Sequence, residues 1–145
     1  MHMLLALILL AAPAQAWEFT PGLPCLLTHE TEEARIELTY DPTRPLYTIT
    51  LTRTEPWPEA PAFQMRFDGP QPRTIGTDRH RLSNGNRSLT VTDRGFGNVL
   101  EGLKFNRSAT ALTGDVALSE PLAGFAGPVA VFRGFWIRWS VMDLG

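Results

Sequence analysis

In Thr77-Asp78-Arg79-His80-Arg81 an acid and an imidazole stand two residues apart, the spacing that puts both on one face of a strand. A carboxylate that orients an imidazole is half of a hydrolytic triad. The other half is a nucleophile on a sharp strand-to-helix turn. No G-x-S-x-G occurs, and Ser83 and Ser88 fall in what reads as an ordinary hairpin. Asp78 and His80 are thus the candidate residues of a small hydrolase. The same two residues also fit a histidine at the core margin whose ring proton bonds a carboxylate or a carbonyl.

His29-Glu30-Thr31-Glu32-Glu33 is the second polar concentration. His29 and Glu33 offer mixed nitrogen and oxygen ligands to a divalent metal, although their spacing matches no closed metal motif. The other reading is a solvated charged run leading into a strand. Arg73, Arg79, Arg81, Arg87 and Arg94 bring cations that can attract phosphate, carboxylate or lipid headgroups, with Asp78 and Asp93 among them. Strands would distribute these arginines over two faces. Lys104 is the single lysine among 13 basic residues, so arginine is the default cation of this chain. Arg94-Gly95-Phe96-Gly97-Asn98 resembles a glycine-rich loop, and a helix starting at Asn98 would aim free N–H groups at an anion. No lysine follows, as a phosphate loop requires. Phe135-Trp136-Ile137-Arg138-Trp139 suits either a membrane interface or the closing of a core. Asn86-Arg87-Ser88 and Asn106-Arg107-Ser108 match the glycosylation sequon.

These residues need elements to hold them. From Ala34 to Tyr40 the chain alternates, with Ile36, Leu38 and Tyr40 on one face. Past a break at Asp41 to Pro45, Tyr47, Ile49 and Leu51 alternate with Thr48, Thr50 and Thr52. The pair predicts an antiparallel hairpin with a threonine-rich outer face. The proline loop Glu55 to Pro61 follows, then a third strand with Phe63, Met65 and Phe67 inward, ended by the turn Asp68-Gly69-Pro70. Asn84-Gly85 predicts a two-residue type I′ turn. That register pairs Ser83 with Asn86 and His80 with Leu89, and sets Asp78, His80 and Leu82 on one face with Leu89 and Val91. Asn98 followed by Glu101 predicts a short helix near 98–104. Ala109 to Thr113 and Val116 to Leu118 read as strands about Gly114-Asp115. Gly127-Pro128 opens an expected C-terminal helix near 127–136. The fold class expected is mainly β: a small antiparallel β-sandwich or partly closed barrel with those two helices.

The chain has 145 residues and a formal net charge of −2, which gives no pull toward nucleic acid. Leu4 to Ala12 is a short apolar run followed by Ala14-Gln15-Ala16, the pattern of a cleavable signal peptide over residues 1–16. Met1-His2-Met3 lacks the Lys or Arg such a segment normally carries. Residues 17–145 then form a single β-rich domain, with 134–145 as an aromatic tail, periplasmic or secreted after cleavage near Ala16. Cys25 is the only cysteine and is unpaired within the chain. It reads as a buried apolar residue, a free thiol or half of an intermolecular bridge.

The stretches CLLTHETEEARIELTYDP, PLYTITLTR, TDRHRLSNG and LTVTDRGFGNVL resemble a group of small exported alphaproteobacterial proteins of unassigned function. Some of that group carry the label of an excinuclease ABC component. The residues here contradict that label, since the chain has no G-x-x-x-x-G-K-[ST] loop and no room for helicase domains. The segment 116–132 (VALSEPLAGFAGPVAVF) is similar to the closing strand and helix of invasion associated locus B proteins. The first resemblance implies a second cysteine near Gly134, where this sequence has Gly134-Phe135-Trp136, so that Cys25 has lost a partner. The function expected is a non-catalytic exported binding module or envelope-associated component, with no cofactor and no nucleic-acid partner. A small hydrolase or metal-dependent enzyme, and an anion or membrane-surface binder using the Arg-rich hairpin, are the alternatives.

Overall fold

The computed structural model describes residues 17–125, 127, 128 and 132. The expected signal peptide and the tail 134–145 lie outside them. Among the described residues ten strands and one complete helix follow in order: β1 (Glu18–Thr20), β2 (Cys25–Glu30), β3 (Ala34–Asp41), β4 (Leu46–Arg53), β5 (Phe63–Asp68), β6 (Arg73–Thr77), β7 (Arg81–Ser83), β8 (Ser88–Asp93), α1 (Gly97–Phe105), β9 (Ser108–Thr113) and β10 (Val116–Pro121). They build a six-stranded sheet in the order β1-β2-β3-β4-β8-β7 and a four-stranded sheet in the order β10-β9-β5-β6. Every pairing is antiparallel. The sheets do not close into a barrel.

The hairpin β3–β4 has the expected register, with Tyr40 opposite Tyr47. Its outer face is tied by hydroxyls: Thr39 bonds Thr48, Thr50 meets Thr90 at 3.0 Å and Thr52 meets Ser88 at 2.9 Å. Paired Thr and Ser hydroxyls on facing strands stabilise a sheet modestly. β5 has its expected apolar face, with Phe63, Met65 and Phe67 all buried, but it leaves the first hairpin and pairs with β6 and β9 in the second sheet.

The segment from Asp78 to Leu82 differs from expectation. It is not one strand, because β6 ends at Thr77 in the second sheet and β7 begins at Arg81 in the first, so residues 78–80 carry the chain between sheets. Around Asn84-Gly85 the turn is longer than predicted. Ser83 pairs with Ser88 and Leu82 with Leu89, and Asn84, Gly85 and Asn86 all take left-handed φ, at 55°, 62° and 63°. Asparagine tolerates that region nearly as well as glycine does, so Asn86 extends the turn that Asn84-Gly85 begins. Leu82 takes the place opposite Leu89 that the expected register gave to His80, and His80 falls outside the ladder.

The helix near 98–104 is present as α1, but its N-cap is Phe96 with no side-chain cap. Asn98, the expected cap, lies inside the first turn. β9 and β10 join at Gly114, at φ 56°, as the Gly-Asp pair predicts. The C-terminal helix near 127–136 is not borne out. Only Gly127, Pro128 and Phe132 of that segment are described, and α1 is the only complete helix among the described residues.

Both sheets and α1 contribute to one apolar cluster. Burial of such surface is the main stabilising term of a domain this size. Helix α1 approaches the second sheet closely at Gly102. A Cβ built there would lie 2.5 Å from two ring carbons of Phe67, a residue with no exposed surface. Gly102→Ala is therefore expected to destabilise the protein by about 1–3 kcal/mol through overpacking, although alanine favours the helix by about 1 kcal/mol. Urea midpoints of G102A and wild type measure the sign. Partial recovery in G102A combined with Phe67→Leu assigns the cost to the ring. An unchanged midpoint in G102A would show that the ring gives way freely.

Candidate functional site

Where the chain passes between the sheets, β6 and β8 leave a cleft of about 170 Å³. Its walls come from both layers. Ile49 and Val91 enter from the first sheet, opposite one another in the β4–β8 ladder. Phe63, Met65 and Ile75 enter from the second, with Met65 opposite Ile75. Phe96 and Val99 close the end at the start of α1. Period-two alternation explains this lining, since each strand turns every other residue inward. Ile75, Val91 and Val99 are only partly buried at the edge of the core. They are apolar groups left short of close packing.

The rim is polar. Thr77, Arg79, Asp93 and Asn98 stand around it. The Thr77 hydroxyl accepts from the Arg79 amide at 3.1 Å, which fixes the backbone just after β6. The Arg79 guanidinium donates one N–H to Asp93 Oδ2 at 3.1 Å, and Asp93 Oδ1 accepts from the Arg94 amide at 2.7 Å. Both carboxylate oxygens of Asp93 thus have donors. Arg79 has five N–H donors and is mostly exposed, with one of them given to Asp93. An apolar floor with a few placed polar groups at its edge is the usual make-up of a small-ligand site.

The structure does not bring Asp78 onto His80. Asp78 is exposed, while His80 Nε2 lies 3.1 Å from the Ala60 carbonyl in the proline loop and its ring stands 6.2 Å from that of Phe63. His80 Nδ1 is buried, with no hydrogen-bond partner among the described residues. The arginines separate likewise. Arg73 pairs with Glu101 of α1 at 3.4 Å, Arg81 lies on β7 opposite Thr90, and Arg87 and Arg94 are exposed. Arg79 alone of the five lines the cleft. The first turn of α1 carries no acidic residue.

His29 and Glu33 diverge. His29 is buried on β2 opposite Ile36, and Glu33 is exposed in the following turn. The described residues contain no group of three His, Cys, Asp or Glu able to hold a metal. His29 meets Glu120 of β10 instead, Nε2 to Oε2 at 3.9 Å, and stacks on Trp17 at 4.7 Å between ring centroids. This contact joins the two sheets. Burial raises the Glu120 pKa above its usual 4.5, against a lowering hydrogen bond from Thr31, and the negative charge of Glu33 raises it further. A carboxyl whose folded pKa is raised binds its proton more tightly when folded, so stability falls as pH climbs through 4.5 and above. Glu120→Gln removes that dependence. The stability of E120Q relative to wild type is expected to rise from about pH 4.5 toward neutrality, as urea midpoints across that range would measure. A constant difference would locate the cost elsewhere.

Cys25 is fully buried. Burial pushes its thiol up to about 11, and Sγ lies 3.5 Å from the Tyr40 carbonyl. It is a thiol, not a thiolate, near neutral pH. The suggested partner position, Gly134, lies outside the described residues. The Asn106 amide is buried and bonded within the fold, so the folded protein does not present it for glycosylation. No described helix is long and apolar enough to cross a membrane.

Arg73–Thr77 was the element needed to foresee the cleft. Its signal is the turn Asp68-Gly69-Pro70, which follows a strand and calls for a second strand to return beside it. Ile75 is its only large apolar residue, too weak a period to stand alone.

The two layers and the cleft between them define a mainly β protein with a small inter-sheet site. The chain matches no protein-family model, no curated protein and no solved structure.

Proposed function

We propose that this protein is an exported, non-catalytic binding module of the periplasm or envelope, and that it takes a small apolar ligand in the cleft between its sheets. The observation that carries the reading is the cleft itself, with its floor of incompletely packed aliphatic side chains contributed by both layers. The two sheets form a sandwich-like unit around one core, a layout that leaves such openings where the edge strands part. Export is supported by the apolar run and the Ala14-Gln15-Ala16 pattern, and by the resemblance to small exported proteins. Asp78 and His80 give the hydrolase alternative no support, since His80 is held on a backbone carbonyl.

The test is a titration of the purified protein with benzene and 1-hexanol, followed by methyl resonances. Shifts confined to Ile49, Met65, Ile75, Val91 and Val99 are expected, with Leu27 and Leu38 in the closed core unmoved. No saturable shift at the cleft methyls would overturn the binding reading. For export, processed protein starting at Trp17 is expected in the periplasmic fraction, and recovery of the full-length chain from the cytoplasm alone would overturn it.

A further inference from the structure

Resting on that reading, we infer that the ligand is a compact amphiphilic monoanion: an apolar body of about six carbons in the cleft, and one carboxylate-like group held at its mouth by Arg79. The size follows from the space. A closed cavity of about 150 Å³ accepts a benzene-sized group, and this open cleft has about 170 Å³, so a hexyl or phenyl body fills it and the rest of a longer acyl chain would lie outside its mouth.

The charge follows from the rim. Of the two ionised side chains there, Asp93 already accepts on both oxygens, from Arg79 and from the Arg94 amide. Its charge already faces the Arg79 guanidinium. Arg79 has donors to spare on a planar group suited to two parallel bonds with a carboxylate. Its bond to Asp93 and the Thr77 clasp on its amide hold it beside the cleft, which limits the ordering cost of ligand capture. The first turn of α1, without an acidic residue, adds positive potential to the same side. A single arginine that already shares Asp93 suits one negative charge better than the two of a phosphate.

The experiment compares hexanoate, 1-hexanol and hexyl phosphate on the purified protein near neutral pH, by methyl and arginine-side-chain resonances, with Arg79→Gln as the variant. Arg79 is exposed enough for R79Q to fold normally. Hexanoate is expected to bind about tenfold more tightly than 1-hexanol, as a charge-assisted bond to arginine implies. R79Q should abolish that preference, bringing hexanoate to the affinity of 1-hexanol. Equal binding of hexanoate and 1-hexanol, or a hexanoate affinity indifferent to R79Q, overturns the inference while the apolar-cleft reading stands. Tighter binding of hexyl phosphate overturns the monoanion. Hexanoate shifts centred on Arg81 and Arg87 move the anion to the hairpin and likewise overturn it. Failure of all three probes at the cleft removes both proposals together.

Discussion

Trp57→Ala is expected to lower the stability of the protein by about 3–5 kcal/mol, the usual cost of removing a large buried aromatic. Trp57 sits in the middle of the proline loop and is only 1% exposed. Its amide donates to the Asn86 carbonyl at 2.7 Å and its indole N–H to the Leu51 carbonyl at 3.0 Å, while the Arg53 guanidinium lies 4.8 Å above its ring. The side chain thereby fastens the loop to β4, and the residue's own amide fastens it to the 84–87 turn. Domains of this kind have only about 5–15 kcal/mol in total, so W57A leaves little margin. Trp57→Phe keeps much of the packing and loses the indole bond, for a further test at about 1 kcal/mol or somewhat more. Urea unfolding followed by far-UV circular dichroism separates them by midpoint at constant slope. If W57A shifts the midpoint no more than W57F, the ring is not the anchor.

The second large effect is expected at Asn106. Its side chain donates from Nδ2 to the carbonyls of Gly102 at 2.9 Å and Gln71 at 2.8 Å, and accepts on Oδ1 from the Gln71 amide at 3.0 Å. It therefore ends α1 and holds the turn after β5 in one step. The turn lies close against the chain after α1, since a Cβ at Gly69, whose φ is 152°, would lie 2.7 Å from the Arg107 amide. Asn106→Leu keeps the branched shape but strands three polar backbone groups, at about 1–3 kcal/mol for each one that stays dry. A loss of about 2–4 kcal/mol overall is expected once water reaches the exposed side. Asn106→Asp keeps the acceptor for Gln71 and replaces both donors by a charge, so it should fall near the leucine variant. Amide hydrogen exchange at Gln71 and the last turn of α1 locates the damage. A uniform increase in exchange over the whole chain would instead point to a general loss of packing.

The sequence was most legible where alternation was strict and the turn residues were ordinary. β3, β4 and β5 were visible from Ile36, Leu38, Tyr47, Ile49, Phe63 and Met65, all inward as expected. β2 was hidden because its third inward residue is His29, and the charges after it suggested a solvated run. Cys25, Leu27 and His29 do alternate inward, yet a histidine on a core face makes sense only beside Glu120, whose place on β10 depends on how the sheets meet. The cleft was hidden for a similar reason. Ile75, Val91 and Val99 are distant in sequence and become neighbours only through the crossing at residues 78–80. The candidate pair Asp78 and His80 failed to form because it assumed a continuous strand, and the register error came from treating Asn86 as a strand residue.

That crossing is one of several. The chain leaves the first sheet after β4, returns to it after β6 and leaves again through α1, so neither sheet is a contiguous stretch of sequence. β8 pairs with β4 across the whole β5–β6 hairpin, and β5 is covered on its other edge by β9, which lies beyond β7, β8 and α1 in the chain. No cut in the chain yields two halves that each own a finished sheet. These pairings are non-local, and such pairings cost loop-closure entropy before they return any contact. A fragment ending before β9 would expose both the apolar face of β5 and its unpaired backbone, the combination that invites association with other chains.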